Sequence, residues 1–175
     1  KWKFDMVSGK TVEDEVLCDL PAEFPVVNPA FIGLKNRFIW SCVLISEPTP
    51  LASNGVFKYD IDSGEVIQHT YVGGRRGGEA FFAPRSGPGA TGEEDDGYLI
   101  TFTTVPGASQ SDLYIMDART LAADPIAIIP VGARVPNGFH ALFVTGDAVR
   151  HDQRSTGLQS VDKFVMGGGS NNSKM

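Results

Sequence analysis

The chain has 175 residues, 42% of them hydrophobic, enough apolar material for one ordinary core. Its formal charge of -6 and pI near 5.0, with basic residues scattered apart from Arg75 and Arg76, argue against nucleic acid as a partner. No apolar run approaches the roughly 20 residues that cross a bilayer, so no transmembrane segment is expected, and residues 1–10 lack the apolar core of a secretory signal. Cys18 and Cys42 are too few for a disulfide scaffold and read as reduced, buried strand residues.

With 20 Gly, 11 Pro and 11 Phe, the composition predicts many turns joining short, aromatic-rich strands. Trp2, Phe4 and Met6 alternate ahead of Ser8-Gly9-Lys10, which predicts a hairpin into residues 11–17. Pro21, Pro25 and Pro29 then predict a loop, and residues 37–45 (RFIWSCVLI) a strand covered on both faces. Residues 56–60 and 66–71 flank Asp62-Ser63-Gly64 as a second hairpin. Residues 79–85 and 98–104 flank a Gly- and Pro-rich connection whose acidic run, Glu93 to Asp96, is expected in solvent. Residues 113–117, 126–131 and 139–144 complete the strand series, with no convincing amphipathic helix between them. The fold class is all-β, and sandwich, barrel and propeller all fit the pattern. The strand pattern stops near Thr145, so residues 1–144 form the folded part and 145–175 a flexible tail.

The three histidines match no local zinc pattern. His151 lies in the polar tail, and His69 reads as a surface or strand-edge residue. His140 sits in VPNGFHALFV, where apolar neighbours imply burial and both ring nitrogens then require partners. It is either a core histidine bonded to backbone or a metal ligand whose second nitrogen is held by a carboxylate. Glu79, at the start of an apolar strand, and Glu23, inside AEFPVVNP, are the oddly placed carboxylates available for that role. GGRRGGE (73–79) lacks the following Lys-Ser or Lys-Thr of a phosphate loop, and Glu93 to Asp96 lacks the alternating oxygen ligands of a calcium loop.

Taken in order, EFPVVNPAFIGLKNRFIW (23–40), FKYDIDSGEVIQHTYVGGRRGGEAFFAPR (57–85), EEDDGYLITF, DLYIMDARTL and RVPNGFHALFV (134–144) resemble the carotenoid oxygenase family. The resemblance implies the C-terminal blades of a seven-bladed β-propeller built from four-stranded antiparallel sheets, in an enzyme whose iron(II) is bound by four histidines backed by glutamates. It assigns His140 as the metal ligand, Glu79 and Glu23 as supporting glutamates, and Phe81, Phe82 and Phe139 as candidates for lining a substrate tunnel. Asn137 departs from the aromatic or leucine expected before Gly-Phe-His. The implied function is oxidative cleavage of a conjugated double bond of a carotenoid or apocarotenoid by dioxygen into two carbonyl products, with Fe(2+) as cofactor. The other ligand histidines would lie upstream, so the chain is expected to be a C-terminal fragment that is inactive alone. Peripheral membrane contact is compatible with the intact enzyme, as is a plastid location in a photosynthetic eukaryote and a cytoplasmic one elsewhere. The rival reading is a non-catalytic β-propeller fragment serving as an interaction or lipid-binding module.

Overall fold

The computed structural model describes residues 1–46, 52–136, 138 and 140–150. It divides the chain into Lys1–Leu142 and Phe143–Met175. Short, turn-bounded strands dominate the first unit, as the composition predicts. β1 (Trp2–Phe4) and β2 (Thr11–Asp14) form a separate antiparallel hairpin. The remaining strands make two antiparallel meanders. The first runs through β3 (Ala22–Val26), β4 (Phe38–Leu44), β5 (Ser53–Asp60) and β6 (Val66–Thr70). The second runs through β8 (Phe81–Pro84), β9 (Gly97–Thr104), β10 (Asp112–Asp117) and β11 (Ala127–Pro130). Between them lies β7 (Arg76–Gly77), a two-residue bridge that pairs with both β5 and β9 and so ties the meanders together. In the second unit, residues 146–150 are helical, within the stretch expected to be tail, and residues 151–175, including His151, lie outside the described residues.

The continuous apolar run becomes β4, buried along its middle, and Trp40 is its anchor. The indole packs on Phe82 at 4.9 Å between ring centroids and donates its N–H to the Ala118 carbonyl at 2.9 Å, so one side chain from the first meander holds two segments of the second. Val56, Leu99, Tyr114 and Met116 complete this shared core. Cys42 is buried there as expected, and desolvation pushes its thiol up to about 11; Cys18 is only half-buried and lies outside any strand.

Several expectations need correction. The Pro-rich stretch is not wholly loop, because Ala22–Val26 pairs with β4 as an edge strand. Pro25 falls within the irregularity between Glu23 and Val26, where no ladder bond is asked of it. Residues 140–144 are not a strand; Gly138 lies against Gly78, and Ala141 donates its backbone N–H to Glu79. His69 is not at an exposed edge but 2% accessible, its Nδ1 2.8 Å from the Ala122 carbonyl and its Nε2 2.8 Å from the Tyr114 hydroxyl. That arrangement satisfies both nitrogens within protein.

The largest correction concerns the acidic run. Asp95 and Asp96 are buried, and the run is a hub for cations from both meanders. Lys58 of β5 donates to Asp95 at 2.6 Å, with its ammonium 3.9 Å from the centroid of the Phe38 ring, and Arg119 donates to the other Asp95 oxygen at 3.1 Å. The Glu94 carboxylate accepts the backbone N–H of Phe38 at 2.8 Å and that of Arg37 at 2.9 Å, capping the start of β4. Asp96 accepts the Thr91 backbone N–H and the Arg85 guanidinium at 2.8 Å. Those donors, the Thr91 N–H first, hold its carboxyl down at about 2. A group depressed in the folded state stabilises above its unfolded value, about 3.9, and that contribution is lost as pH falls through the folded one. The Asp96→Asn variant should therefore lose less stability than the parent between about pH 4 and pH 2, measured by urea unfolding across that range. Identical pH slopes for the two proteins would refute the role of Asp96.

Candidate functional site

Glu79 lies between β7 and β8, its side chain only 10% exposed, while the His140 side chain is 76% exposed rather than enclosed by apolar neighbours as the sequence suggested. The two nevertheless meet. Nδ1 of His140 is 3.6 Å from Oε2 of Glu79, which also accepts the backbone N–H of Ala141. A largely buried carboxylate thus holds the residue after the histidine and faces the side of the imidazole that carries Nδ1. The separation is slightly long for a hydrogen bond and close enough for the carboxylate to favour this orientation of the ring.

Phe24 forms the second wall. Its ring meets the His140 ring edge-on, at 5.9 Å between centroids and 89° between planes. It holds φ at +56°, a conformation that is rare for a bulky L-residue and that clusters at functional sites. The strain arises in the irregular pairing between Glu23 and Val26, which turns Phe24 into the core while its neighbour Glu23 stays exposed. Glu23 stands opposite Cys42 in the β3–β4 register, and residues so paired share a sheet face. Cys42 in turn touches the Gly78 carbonyl, next to Glu79. Glu79 thus meets His140, whereas Glu23, exposed in β3, is related to that neighbourhood only through its register with Cys42.

Of the aromatic candidates, Phe82 is 3% exposed and belongs to the core under Trp40, whereas Phe81 is half-buried. Phe139 and Asn137 lie outside the described residues. Sequence reasoning missed Phe24, because positive φ in a phenylalanine has no sequence signal. It also missed Ser53, Thr101 and Tyr71, which surround the backbone leading to Glu79 and read in sequence as ordinary strand residues.

A metal can be held here by one imidazole. With Nδ1 turned to the carboxylate, Nε2 on the opposite edge of the ring is the atom that would ligate, and the carboxylate would favour the tautomer that ligation needs. Among the described residues no group of three or more His, Cys, Asp and Glu side chains could enclose an ion. The residues present therefore fit one corner of a coordination sphere rather than a complete site.

Residues 1–145 match the family model described as retinal pigment epithelial membrane protein. The chain is 34% identical to carotenoid 9,10(9',10')-cleavage dioxygenase 1 of Pisum sativum, over 87% of this chain and 30% of that protein. It is 36% identical to the probable carotenoid cleavage dioxygenase 4, chloroplastic, of Arabidopsis thaliana, over 82% of this chain and 24% of that protein. Among solved structures, a variant of the Synechocystis apocarotenoid oxygenase superposes with a TM-score of 0.68 at 26% identity, covering 79% of this chain and 28% of that one. A cobalt-substituted form of the same Synechocystis enzyme superposes with a TM-score of 0.67, at 26% identity and the same coverage. The chain thus spans about 30% of the length of the pea relative, and its two meanders are blades of the propeller seen in these enzymes. The ordered motifs, the paired meanders and these matches together make the chain a member of the retinal pigment epithelial membrane protein family of carotenoid oxygenases.

Proposed function

We propose that this chain acts as the C-terminal portion of a longer iron(II) oxygenase that cleaves a conjugated double bond of a carotenoid or apocarotenoid, with His140 as one iron ligand and Glu79 as its support. The observation that carries the reading is the approach of His140 Nδ1 to the largely buried Glu79 carboxylate, at 3.6 Å. A ligating imidazole needs its second nitrogen protonated and held by an acceptor, and a carboxylate is the strongest acceptor a protein offers. The names of the relatives support the substrate class, and the chloroplastic relatives support a plastid as the compartment.

Iron(II), when bound, would supply open coordination positions at which dioxygen can react with the polyene. The rest falls to the protein. Glu79 would favour the tautomer with the proton on Nδ1 and so orient the ring, which Phe24 flanks edge-on. Glu23, at the rim, would play the same part for a histidine from the upstream chain. Half-buried Phe81 would help to exclude water from the apolar substrate. The test is the iron content of the full-length chain and of its His140→Ala variant: stoichiometric metal lost with the histidine supports the reading, and equal iron in both refutes it.

A further inference from the structure

Three consecutive carbonyls precede or belong to the supporting glutamate, and each is held by a side chain from a different strand. Ser53 of β5 donates to the Gly77 carbonyl at 3.3 Å, Cys42 of β4 to the Gly78 carbonyl at 3.3 Å, and Thr101 of β9 to the Glu79 carbonyl at 2.9 Å. All three donors are buried. Below this segment lies the buried Tyr71 ring: a Cβ at Gly77 would sit 2.9 Å from Tyr71 Cε2. Above it runs the backbone that leads to His140: a Cβ at Gly78 would sit 2.7 Å from the Gly138 carbonyl oxygen and 3.1 Å from the Gly138 nitrogen. The first of these distances is closer than real Cβ contacts allow, and both lie against backbone, which has no rotamer with which to yield.

We propose that this clamp, in which Gly78 admits the backbone of Gly138 and Ser53, Cys42 and Thr101 pin the carbonyls of residues 77–79, is the device that positions Glu79 against His140. Ser53, Thr101 and Gly78 are then positioning residues for the metal corner, a role that rests on the function proposed above. Without the pins the 77–79 backbone could rotate about its peptide planes, moving the Glu79 carboxylate. With any side chain at position 78, the Gly138 backbone would have to lift away from it. The Ala141 N–H reports the device directly, because it donates to the same Glu79 oxygen that faces the imidazole.

The test needs no metal. In the 175-residue chain, amide exchange and the chemical shift of Ala141 are followed by NMR in Gly78→Ala, Thr101→Val and Thr101→Ser. The expected result is Ala141 exchange accelerated about tenfold or more, with loss of the downfield shift of an amide bonded to a carboxylate, in Gly78→Ala and Thr101→Val. Thr101→Ser retains the hydroxyl and should stay close to the parent, and the core amides of Trp40 and Leu99 should be unchanged in all variants. Should Gly78→Ala not fold, the Thr101 pair decides. Ala141 unaltered in Thr101→Val, or equally altered in Thr101→Ser, overturns the proposal. Iron retained by His140→Ala in the full-length chain would overturn the metal reading instead, and leaves the Ala141 result standing as a purely structural clamp.

Discussion

Replacement of His140 by Ala in the full-length chain should reduce bound iron to background, whereas Glu79→Gln should keep an iron site and weaken it about 10–100-fold. The two effects differ because the residues act at different removes. His140 would supply the donor atom itself. Glu79 acts through it: the carboxylate fixes the imidazole tautomer and raises its basicity, and a neutral amide can still accept one hydrogen bond but lacks the charge. Glutamine also preserves the volume beside His140 and an acceptor for Ala141, so the fold should survive. Iron titration of the apo-protein reads both variants. Equal loss in the two would place Glu79 among the ligands, and no change in Glu79→Gln would remove it from the site.

The Lys58→Met variant should be destabilised by about 3 kcal/mol or more, near the range for breaking a buried ion pair from one side. The Lys58 and Asp95 side chains are 6% and 12% exposed, so removal of the ammonium leaves the carboxylate desolvated with Arg119 as its remaining cation. The stacking of the Lys58 ammonium on Phe38 is lost at the same time. Methionine keeps the apolar stem, which separates the loss of charge from the loss of packing. Urea unfolding measures the effect, with Arg150→Ala as the control: its 2.5 Å pair with Asp147 joins side chains that are 64% and 91% exposed, and should contribute no more than about 1 kcal/mol. Similar small losses for Lys58→Met and Arg150→Ala would show that the acidic hub does not hold the two meanders together.

The strands themselves were legible because binary patterning and turn residues act locally. The run RFIWSCVLI is most simply a strand buried on both faces, and Asp62-Ser63-Gly64 supplies the turn formers of a hairpin. What failed in the sequence depended on partners distant along the chain. Glu93 to Asp96 looked solvated because nothing local reveals that Lys58, Arg85 and Arg119 converge on it. His69 looked peripheral because its partners, Tyr114 and Ala122, belong to the other meander. The segment around His140 looked like a strand from its apolar content, yet its backbone leans on Gly78, a contact made possible only by a missing side chain. Glu79 and Glu23 stand out as candidate partners of His140 by their odd placement in the sequence, and family resemblance, which carries distant pairings, assigns them.

The central claim, that His140 and Glu79 form a corner of an iron site, is tested most directly by anomalous diffraction at the iron edge from crystals of the full-length holoprotein. The account predicts an anomalous peak about 2.0–2.2 Å from His140 Nε2, the distance of a metal–imidazole bond, with Glu79 still on the Nδ1 side. An iron peak coordinated without His140, or the imidazole turned so that Nδ1 faces the metal and Glu79 faces elsewhere, would contradict it.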